Sequence, residues 1–193
     1  DMLRAYECGC RLITHFYSGT STVVRRGGYR HLGVIESGYL IDGMCLEIIA
    51  DGRHLPPELL RLIHKLKGSE KICLVTDSLP CTGTDTLSGT LSGIDYIVED
   101  DVAKLPDRTA FVGSIATADK LVRVCVQDAG IPLVDAVRMM TGSPAKFMGL
   151  KNKGILRTGA AADIVIFDEN INVDTVIVGG KIHILHGRRM FEK

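Results

Sequence analysis

The chain of 193 residues lacks any net charge, because 23 lysines and arginines balance 23 aspartates and glutamates. Its overall charge therefore does not steer it to nucleic acid or to an acidic membrane surface, and small molecules or protein subunits are the expected partners. It also lacks an apolar stretch of membrane length, since charged residues interrupt every hydrophobic run, and it lacks a recognisable signal peptide. We expect a soluble, cytoplasmic protein that binds neither nucleic acid nor membrane.

A regular cysteine framework is absent as well. The six cysteines are scattered without a repeated spacing, and Cys45 and Cys73 adjoin or enter apolar runs. This pattern favours small buried thiols in a reducing compartment. Cys8 and Cys10 are one residue short of the usual zinc spacing, so we give the pair little weight as a metal site.

The length allows one sizeable core, but a complete eight-stranded (βα) barrel needs about 250 residues. Three apolar runs, at 11–17, 46–50 and 72–76, predict strands that suit a parallel sheet covered on both faces. The run from 56 to 68 starts with proline, has leucine and isoleucine at helical spacing and closes with glycine, which predicts a helix. A weaker helix around 33–40 supplies the other crossover.

Beyond residue 77 the amino-acid composition of the sequence changes. Residues 78–112 are rich in threonine, glycine, serine and aspartate, and short alternating stretches among them predict inserted hairpins. Helical spacing then predicts helices at 117–129 and 133–140, followed by a short third helix that ends at Gly149. The last part, 154–187, predicts antiparallel strands of a small β-domain.

Polar residues follow each of the three predicted parallel strands. Neutral imidazole is a good zinc or iron ligand, which suits His15 at the end of the first strand, where a barrel presents functional side chains. The carboxylate of Asp77 can accept and return a proton, and His54 can donate to a carbonyl oxygen as charge develops there. Each also has a structural explanation: a satisfied core histidine, a loop-bracing aspartate and a surface histidine. Asp51, beside Gly52, is expected to serve the turn.

Three arginines lie in a glycine-containing loop after the first strand: Arg25, Arg26 and Arg30. A guanidinium there can hold a phosphate through two parallel hydrogen bonds, although charged loops are usually only solvated. The other histidines are expected to be structural or exposed, and for His64, within a predicted helix, the sequence offers no partner. They are His31, His64, His183 and His186.

Six segments carry a family resemblance in the same order along the chain. They are Thr14–Ser18, Ile49–His54, Leu74–Asp77, Val112–Ser114, Thr141–Ala145 and Gly159–Val165. Together they resemble the later half of the N-acetylglucosamine-6-phosphate deacetylases of the amidohydrolase superfamily. The resemblance implies an α/β fold: the C-terminal part of a TIM-like (βα) barrel at 1–153, with inserted hairpins near 84–112, and strands of a small β-sandwich at 154–193.

The same resemblance implies removal of the acetyl group from N-acetylglucosamine 6-phosphate, giving glucosamine 6-phosphate and acetate. It implies a divalent metal, zinc or alternatively iron, with His15 as a ligand, Asp77 as the catalytic aspartate and His54 as a substrate contact. Arg26 is the best counterpart of the phosphate-binding arginine, with Arg25 and Arg30 as alternatives. The remaining substrate-binding positions are Ser18, Gly19, Phe111, Val112 and Gly113. We expect a homo-oligomer in the full-length protein.

The departures from the family pattern define the alternatives. Ser18 and Gly19 replace the usual Asn-Ala, and the arginine loop differs from the commoner Arg-x-Pro-Gly. A related amidohydrolase acting on another N-acylated sugar is therefore one alternative, and a non-catalytic barrel fragment is another. No candidate for the family's metal-binding glutamate and earlier histidine precedes His15 at the proper distance. We therefore expect a partial enzyme, a fragment or the observed remainder of a longer protein, that is inactive by itself.

Overall fold

The computed structural model of the protein describes residues 1–190. The helices are α1 (Met2–Glu7), α2 (Val34–Leu40), α3 (Pro57–Lys67), α4 (Ala118–Arg123), α5 (Leu133–Met140) and α6 (Gly142–Phe147), with a 3₁₀ turn at Ser69–Lys71 and a π-helical turn at Val124–Asp128. The strands are β1 (Leu12–Ile13), β2 (Val24–Arg26), β3 (Tyr29–His31), β4 (Cys45–Ile48), β5 (Ile72–Leu74), β6 (Ser88–Leu91), β7 (Ile94–Glu99), β8 (Val102–Lys104), β9 (Phe111–Gly113), β10 (Ile164–Phe167), β11 (Val173–Val178), β12 (Lys181–Leu185) and β13 (Arg188–Arg189).

A parallel sheet of order β1-β4-β5 lies at the centre of the α/β fold. Helix α2 lies between β1 and β4 in the chain, and α3 lies between β4 and β5, so the predicted crossover helices are confirmed. Over the residues that the structure describes, this sheet has three strands and stays open. Its carboxyl edge is where three loops leave the sheet.

The first strand is shorter than predicted. The sequence predicts a strand over 11–17, whereas β1 ends at Ile13. The hydroxyl of Thr14 and the backbone N–H of His15 both donate to Oε1 of Glu47, at 2.6 and 3.2 Å. His15 has a φ of 29°, so the backbone has already left the extended conformation. His15 therefore lies in a turn beyond the strand.

The main core fills the space between one face of the sheet and the helices. On β4, Leu46 and Ile48 are fully buried, while Glu47 points to the opposite face. From α3, Leu60 and Ile63 pack into the same cluster. Burying each such aliphatic side chain contributes about 1.5–3 kcal/mol. This core fixes the strands whose ends carry the candidate site residues.

A second, antiparallel sheet of order β6-β7-β8-β9 follows the parallel one in the chain. Its own small core contains Leu79, Cys81, Tyr96 and Ala103. The hairpins predicted from the alternating stretches are therefore present, and β9 returns the chain to the carboxyl edge of the parallel sheet.

The C-terminal sheet has the order β10-β11-β12-β13 and is antiparallel, as the sequence predicts. Ile171, in the turn before β11, belongs to the main core, and its carbonyl oxygen accepts a hydrogen bond from Arg123 at 2.8 Å. The described residues supply one sheet here, so the sandwich and the domain boundary at 153/154 stay predictions. Residues 191–193 of the predicted unit 154–193 lie outside the described residues.

The cysteines correct part of the prediction. Cys73, Cys81 and Cys125 are buried as expected, but Cys8 and Cys10 are exposed. Burial raises the pKa of the Cys73 thiol to about 11. Within residues 1–190, no helix is long and apolar enough to span a membrane.

Candidate active site

Three loops leave neighbouring parallel strands at one edge of the sheet. His15 lies two residues beyond β1, His54 follows β4 by six residues, and Asp77 follows β5 by three. Because the strands are parallel and adjacent, their carboxyl ends meet at one edge. The three residues that the sequence singles out therefore belong to one rim.

The ring of His15 is oriented by its own loop. Its Nδ1 lies 2.8 Å from the carbonyl oxygen of Ser18. A carbonyl oxygen only accepts hydrogen bonds, so Nδ1 carries the proton, and Nε2 of the neutral ring keeps its lone pair. This arrangement is typical of metal-ligating histidines, whose second nitrogen donates to a carbonyl or carboxylate.

The turn that carries His54 is organised by Asp51. Gly52 has a φ of 76°, a conformation that glycine adopts without strain. Oδ1 of Asp51 accepts the backbone N–H groups of Arg53 and His54, both at 2.8 Å, and Oδ2 lies 2.7 Å from Nδ1 of His54. The turn therefore fixes both the backbone and the ring of His54.

Buried Asp51 is a strong acceptor. Burial alone would raise the pKa of its carboxyl group. The hydrogen bond from His54 and those from the two backbone N–H groups outweigh this effect, and the pKa lies below its ordinary value. Asp51 is therefore ionised at neutral pH.

Asp77 is exposed and lies in a turn with a φ of 46°, in the left-handed region that aspartate adopts more readily than most residues. Its carbonyl oxygen accepts the N–H of Ser114 at 3.1 Å, and Ser78 pairs with Ser114 in a parallel bridge. These two contacts hold Ser114, the residue after β9, beside Asp77.

Because Ser114 is held beside Asp77, the preceding residues of β9 also lie at the rim. They are Phe111, Val112 and Gly113. The ring of Phe111 meets the ring of His54 edge-on, with centroids 5.0 Å apart and an interplanar angle of 64°. A Cβ on Gly113 would lie 2.9 Å from Cδ2 of Leu79 and 3.3 Å from the carbonyl oxygen of Asp77, so the close approach needs glycine. The structure thus brings His54, Asp77 and this segment together.

The arginines lie in a hairpin of their own. Strands β2 and β3 pair antiparallel, with Arg25 opposite Arg30 and Arg26 opposite Tyr29. Cross-strand partners share a face of the ribbon, so Arg26 lies on the other face from Arg25 and Arg30. All three are exposed, and Arg30 donates a hydrogen bond to the carbonyl oxygen of Gly28 at 3.3 Å, within the hairpin. Ser18 and Gly19 lie in the His15 loop, where the carbonyl oxygen of Ser18 contacts the ring of His15.

A metal ion needs more ligands than these residues offer. Among the described residues, no three histidine, cysteine, aspartate or glutamate side chains cluster in a way that would hold an ion. A zinc centre uses three or four protein ligands. His15 suits one ligand position, but residues 1–190 do not form a metal site by themselves.

Two carboxylates contact the rim residues without being predicted to do so. The sequence predicts a turn role for Asp51, although its i, i+3 spacing to His54 is a usable signal for the contact with the ring. Glu47, which holds Thr14 and His15, gave no signal, because the contact joins residues 32 positions apart.

His64 also differs from expectation. The sequence shows no partner for it, whereas its Nε2 lies 3.2 Å from Oδ2 of Asp135 on α5. Oδ1 of Asp135 accepts hydrogen bonds from Ser69 at 2.7 Å and from Arg138 at 3.1 Å. His64 therefore belongs to a polar network that joins α3 to α5 away from the rim.

Comparison with known proteins gives a consistent picture. The Amidohydrolase family matches residues 2–183. The chain is 32% identical over 187 residues to the N-acetylglucosamine-6-phosphate deacetylase of Homo sapiens, an alignment that covers 93% of this chain and 45% of the relative. It is 26% identical over 181 residues to the N-acetylgalactosamine-6-phosphate deacetylase of Shewanella sp. strain ANA-3, covering 94% of this chain and 45% of the relative. The chain spans about half the length of the curated relatives it matches.

A similar solved structure is that of a mutant N-acetyl-D-glucosamine-6-phosphate deacetylase from Mycobacterium smegmatis in complex with N-acetyl-D-glucosamine-6-phosphate. It superposes with a TM-score of 0.86 at 28% identity, over 95% of this chain and 48% of that one. The open sheet and the inserted antiparallel sheet therefore belong to a fold that is already known in larger proteins.

Proposed function

This chain belongs to the amidohydrolase family, and we propose that it forms part of a metal-dependent enzyme that deacetylates N-acetylglucosamine 6-phosphate. The products are glucosamine 6-phosphate and acetate. We propose further that the open parallel sheet is the C-terminal part of a TIM-like barrel, and that the full-length protein is a cytoplasmic homo-oligomer.

The observation that carries the proposal is the shared rim. His15, His54 and Asp77 follow three adjacent parallel strands, and β9 holds Phe111 against His54. Active sites of barrel enzymes are built from the loops at the carboxyl ends of the strands, with catalytic residues contributed by several of them. The similarity to deacetylases of known substrate agrees with this arrangement.

In this proposal Asp77 carries out the proton transfers. Its exposed carboxylate takes a proton from the attacking water and delivers it to the departing amine, so that one group serves as base and then as acid. His54 contacts the acetamido group of the substrate. Phe111 covers one edge of that ring and limits the access of water to it.

A divalent ion, zinc or alternatively iron, supplies the Lewis-acid chemistry of the reaction when it is bound. Nε2 of His15 is the atom of this chain that is prepared as a ligand. The remaining ligands are proposed to come from outside residues 1–190.

The phosphate is proposed to bind Arg26, with Arg25 and Arg30 as alternatives on the other face of the hairpin. Ser18, Gly19, Val112 and Gly113 would line the sugar. The similarity to an N-acetylgalactosamine-6-phosphate deacetylase keeps another N-acylated sugar phosphate as the second candidate substrate.

The test is an acetate-release assay on the full-length protein. N-acetylglucosamine 6-phosphate should be the preferred substrate over N-acetylgalactosamine 6-phosphate and over unphosphorylated N-acetylglucosamine. Preference for the galactosamine compound would move the assignment to the second substrate. Turnover that does not depend on Asp77 would support a non-catalytic role for this part of the fold, and turnover by the 193-residue chain alone would contradict the partial-enzyme proposal.

A further inference from the structure

The side chain of Asp51 divides its hydrogen bonds between a backbone turn and an imidazole ring. Oδ1 accepts the two N–H groups of Arg53 and His54, and Oδ2 faces Nδ1 of His54 at 2.7 Å. Asp51 is 2% exposed, and the side chain of His54 is 7% exposed. The pair is therefore largely shielded from water. Hydrogen bonds are stronger in such a shielded environment than in water.

The chemistry of the pair decides which ring nitrogen carries the proton. An ionised carboxylate only accepts hydrogen bonds, so the atom facing Oδ2 must be a donor. In a neutral imidazole one nitrogen donates and the other accepts. With Nδ1 as the donor, Nε2 of neutral His54 carries a lone pair and no proton.

Two neighbours keep the ring in this orientation. The backbone N–H of His54 donates to the same carboxylate, which holds the backbone of His54 beside Asp51 and within reach of the Nδ1 contact. Phe111 from β9 packs edge-on against the ring. Within residues 1–190, the hydrogen bonds recorded for the His54 ring involve Nδ1 alone. Nε2 therefore stays available to a ligand.

The geometry points to Asp51 as a positioning residue that fixes the proton of neutral His54 on Nδ1 and presents Nε2 as a hydrogen-bond acceptor. This assignment deepens the proposed function and rests on it for its catalytic consequence. The substrate group that meets Nε2 of the neutral ring must be an N–H or O–H donor, such as the acetamido N–H or a sugar hydroxyl. Contact with the amide carbonyl oxygen requires the protonated ring.

The direct test is the tautomer of His54 in the 193-residue chain. Long-range ¹H–¹⁵N correlation spectra separate a protonated, pyrrole-type nitrogen from an unprotonated, pyridine-type one. At a pH where the ring is neutral, Nδ1 should be pyrrole-type and Nε2 pyridine-type, with His54→Gln identifying the signals. The opposite assignment in the unmodified protein overturns the inference, and this measurement needs no folded variant of Asp51.

Asp51→Asn sharpens the test. The carbonyl oxygen of asparagine can keep both backbone hydrogen bonds, while its NH₂ group can only donate to Nδ1. The ring should therefore switch to the Nε2-protonated tautomer while the turn is retained. Asp135→Asn, beside His64, is the matched control and should leave the His54 signals unchanged. A folded Asp51→Asn variant with an unchanged His54 tautomer contradicts the inference.

The kinetic consequence is measured in the full-length enzyme. We expect kcat to fall by about tenfold to a hundredfold in Asp51→Asn, because a protonated Nε2 would leave the donor group of the substrate unpaired. Unchanged kcat with only reduced stability would make Asp51 structural. If the unmodified enzyme releases no acetate, the proposed function fails while the tautomer result still decides this assignment.

Discussion

Nδ1 of His15 lies 2.8 Å from the carbonyl oxygen of Ser18, within a loop that begins two residues after the first parallel strand ends. The contact places the proton on Nδ1 and leaves Nε2 of the neutral ring with a lone pair, as in metal-ligating histidines. It also shows that the short loop, rather than the strand, sets the direction of the ring.

Replacing His15 with glutamine should therefore lower metal binding by the full-length protein. We expect the affinity for zinc to fall by more than tenfold. Even the loss of a group that only hydrogen-bonds to a ligating histidine typically lowers metal affinity by about 10–100-fold. Metal content after dialysis against graded chelator, measured by mass spectrometry, reports the change without relying on activity. His31→Gln is the control, since His31 is exposed on β3. Equal loss in both variants would remove the specific role of His15.

Glu47 supports that loop from the neighbouring strand. Its Oε1 accepts the hydroxyl of Thr14 and the N–H of His15. We predict that Glu47→Ala destabilises the protein by about 0.5–1.5 kcal/mol, the net contribution of a typical hydrogen bond, because the exposed hydroxyl of Thr14 can bond to water instead. Glu47→Gln keeps an acceptor oxygen and should cost less. Urea unfolding of both variants measures the difference, and equal stability of the alanine and glutamine variants would contradict the predicted role.

Features of this rim that depend on neighbouring residues could be predicted from the sequence, whereas those that depend on residues far apart in the chain could not. Helix α3 was predictable because its proline start, spacing and glycine end are local signals. The early end of β1 was not, because the carboxylate of Glu47 draws Thr14 and His15 out of the strand from 32 or more residues away. The contact of Phe111 with His54 likewise depends on how β9 returns to the sheet. Local patterns identified the polar residues, whereas long-range contacts hold Thr14 and His15 beyond the end of β1 and place Phe111 against His54.

Asp77→Asn should remove catalysis while preserving the fold. Asparagine tolerates the positive φ of 46° at this position and lacks the proton-transfer function. We expect kcat of the full-length enzyme to fall by about 10²–10⁴-fold with little change in KM. Asp101→Asn is a matched control, since Asp101 also has a positive φ, of 68°. A comparable loss of kcat in the control would show that an Asp→Asn change in such a turn lowers activity without a catalytic role.

The pH dependence of stability should reveal the network around Asp135. The hydrogen bond from Ser69, followed by the influence of His64 and Arg138, lowers the pKa of Asp135 below 3.8, and slight burial opposes the effect. Because the folded pKa is depressed, the carboxylate stabilises the fold above the unfolded value, and this contribution is lost as the pH falls through the folded value.

Asp135→Asn should therefore be less stable than the unmodified chain at neutral pH, by about 1–3 kcal/mol. The gap should narrow as the pH falls below 3.8, because the carboxylate of the unfolded chain is protonated first and that of the folded chain at lower pH. Urea midpoints across the acidic range measure it. Asp85→Asn, at an exposed position, should show no such gap. A gap for Asp135→Asn that stays constant with pH would mean that packing, not charge, causes the loss.

The phosphate could bind either of the two faces of the β2–β3 hairpin, and variants of the arginines distinguish them. Arg26 shares its face with Tyr29, whereas Arg25 lies opposite Arg30. If Arg26 binds the phosphate, Arg26→Ala should raise KM for N-acetylglucosamine 6-phosphate in the full-length enzyme. A charged hydrogen bond contributes about 1.5–3 kcal/mol, which corresponds to roughly a tenfold to a hundredfold increase. Turnover of unphosphorylated N-acetylglucosamine should not change, because it has no group for the guanidinium to hold.

Arg25→Ala is the matched control, one residue away and on the opposite face. It should leave KM within about twofold, as expected for an exposed charge that makes no specific contact. Should the double variant Arg25→Ala/Arg30→Ala raise KM instead, the phosphate binds the other face, where two like charges directly opposite each other gain most from an anion. If the variants changed KM equally for the phosphorylated and the unphosphorylated sugar, none of the three arginines would bind the phosphate, since the phosphate is the only difference between the two substrates.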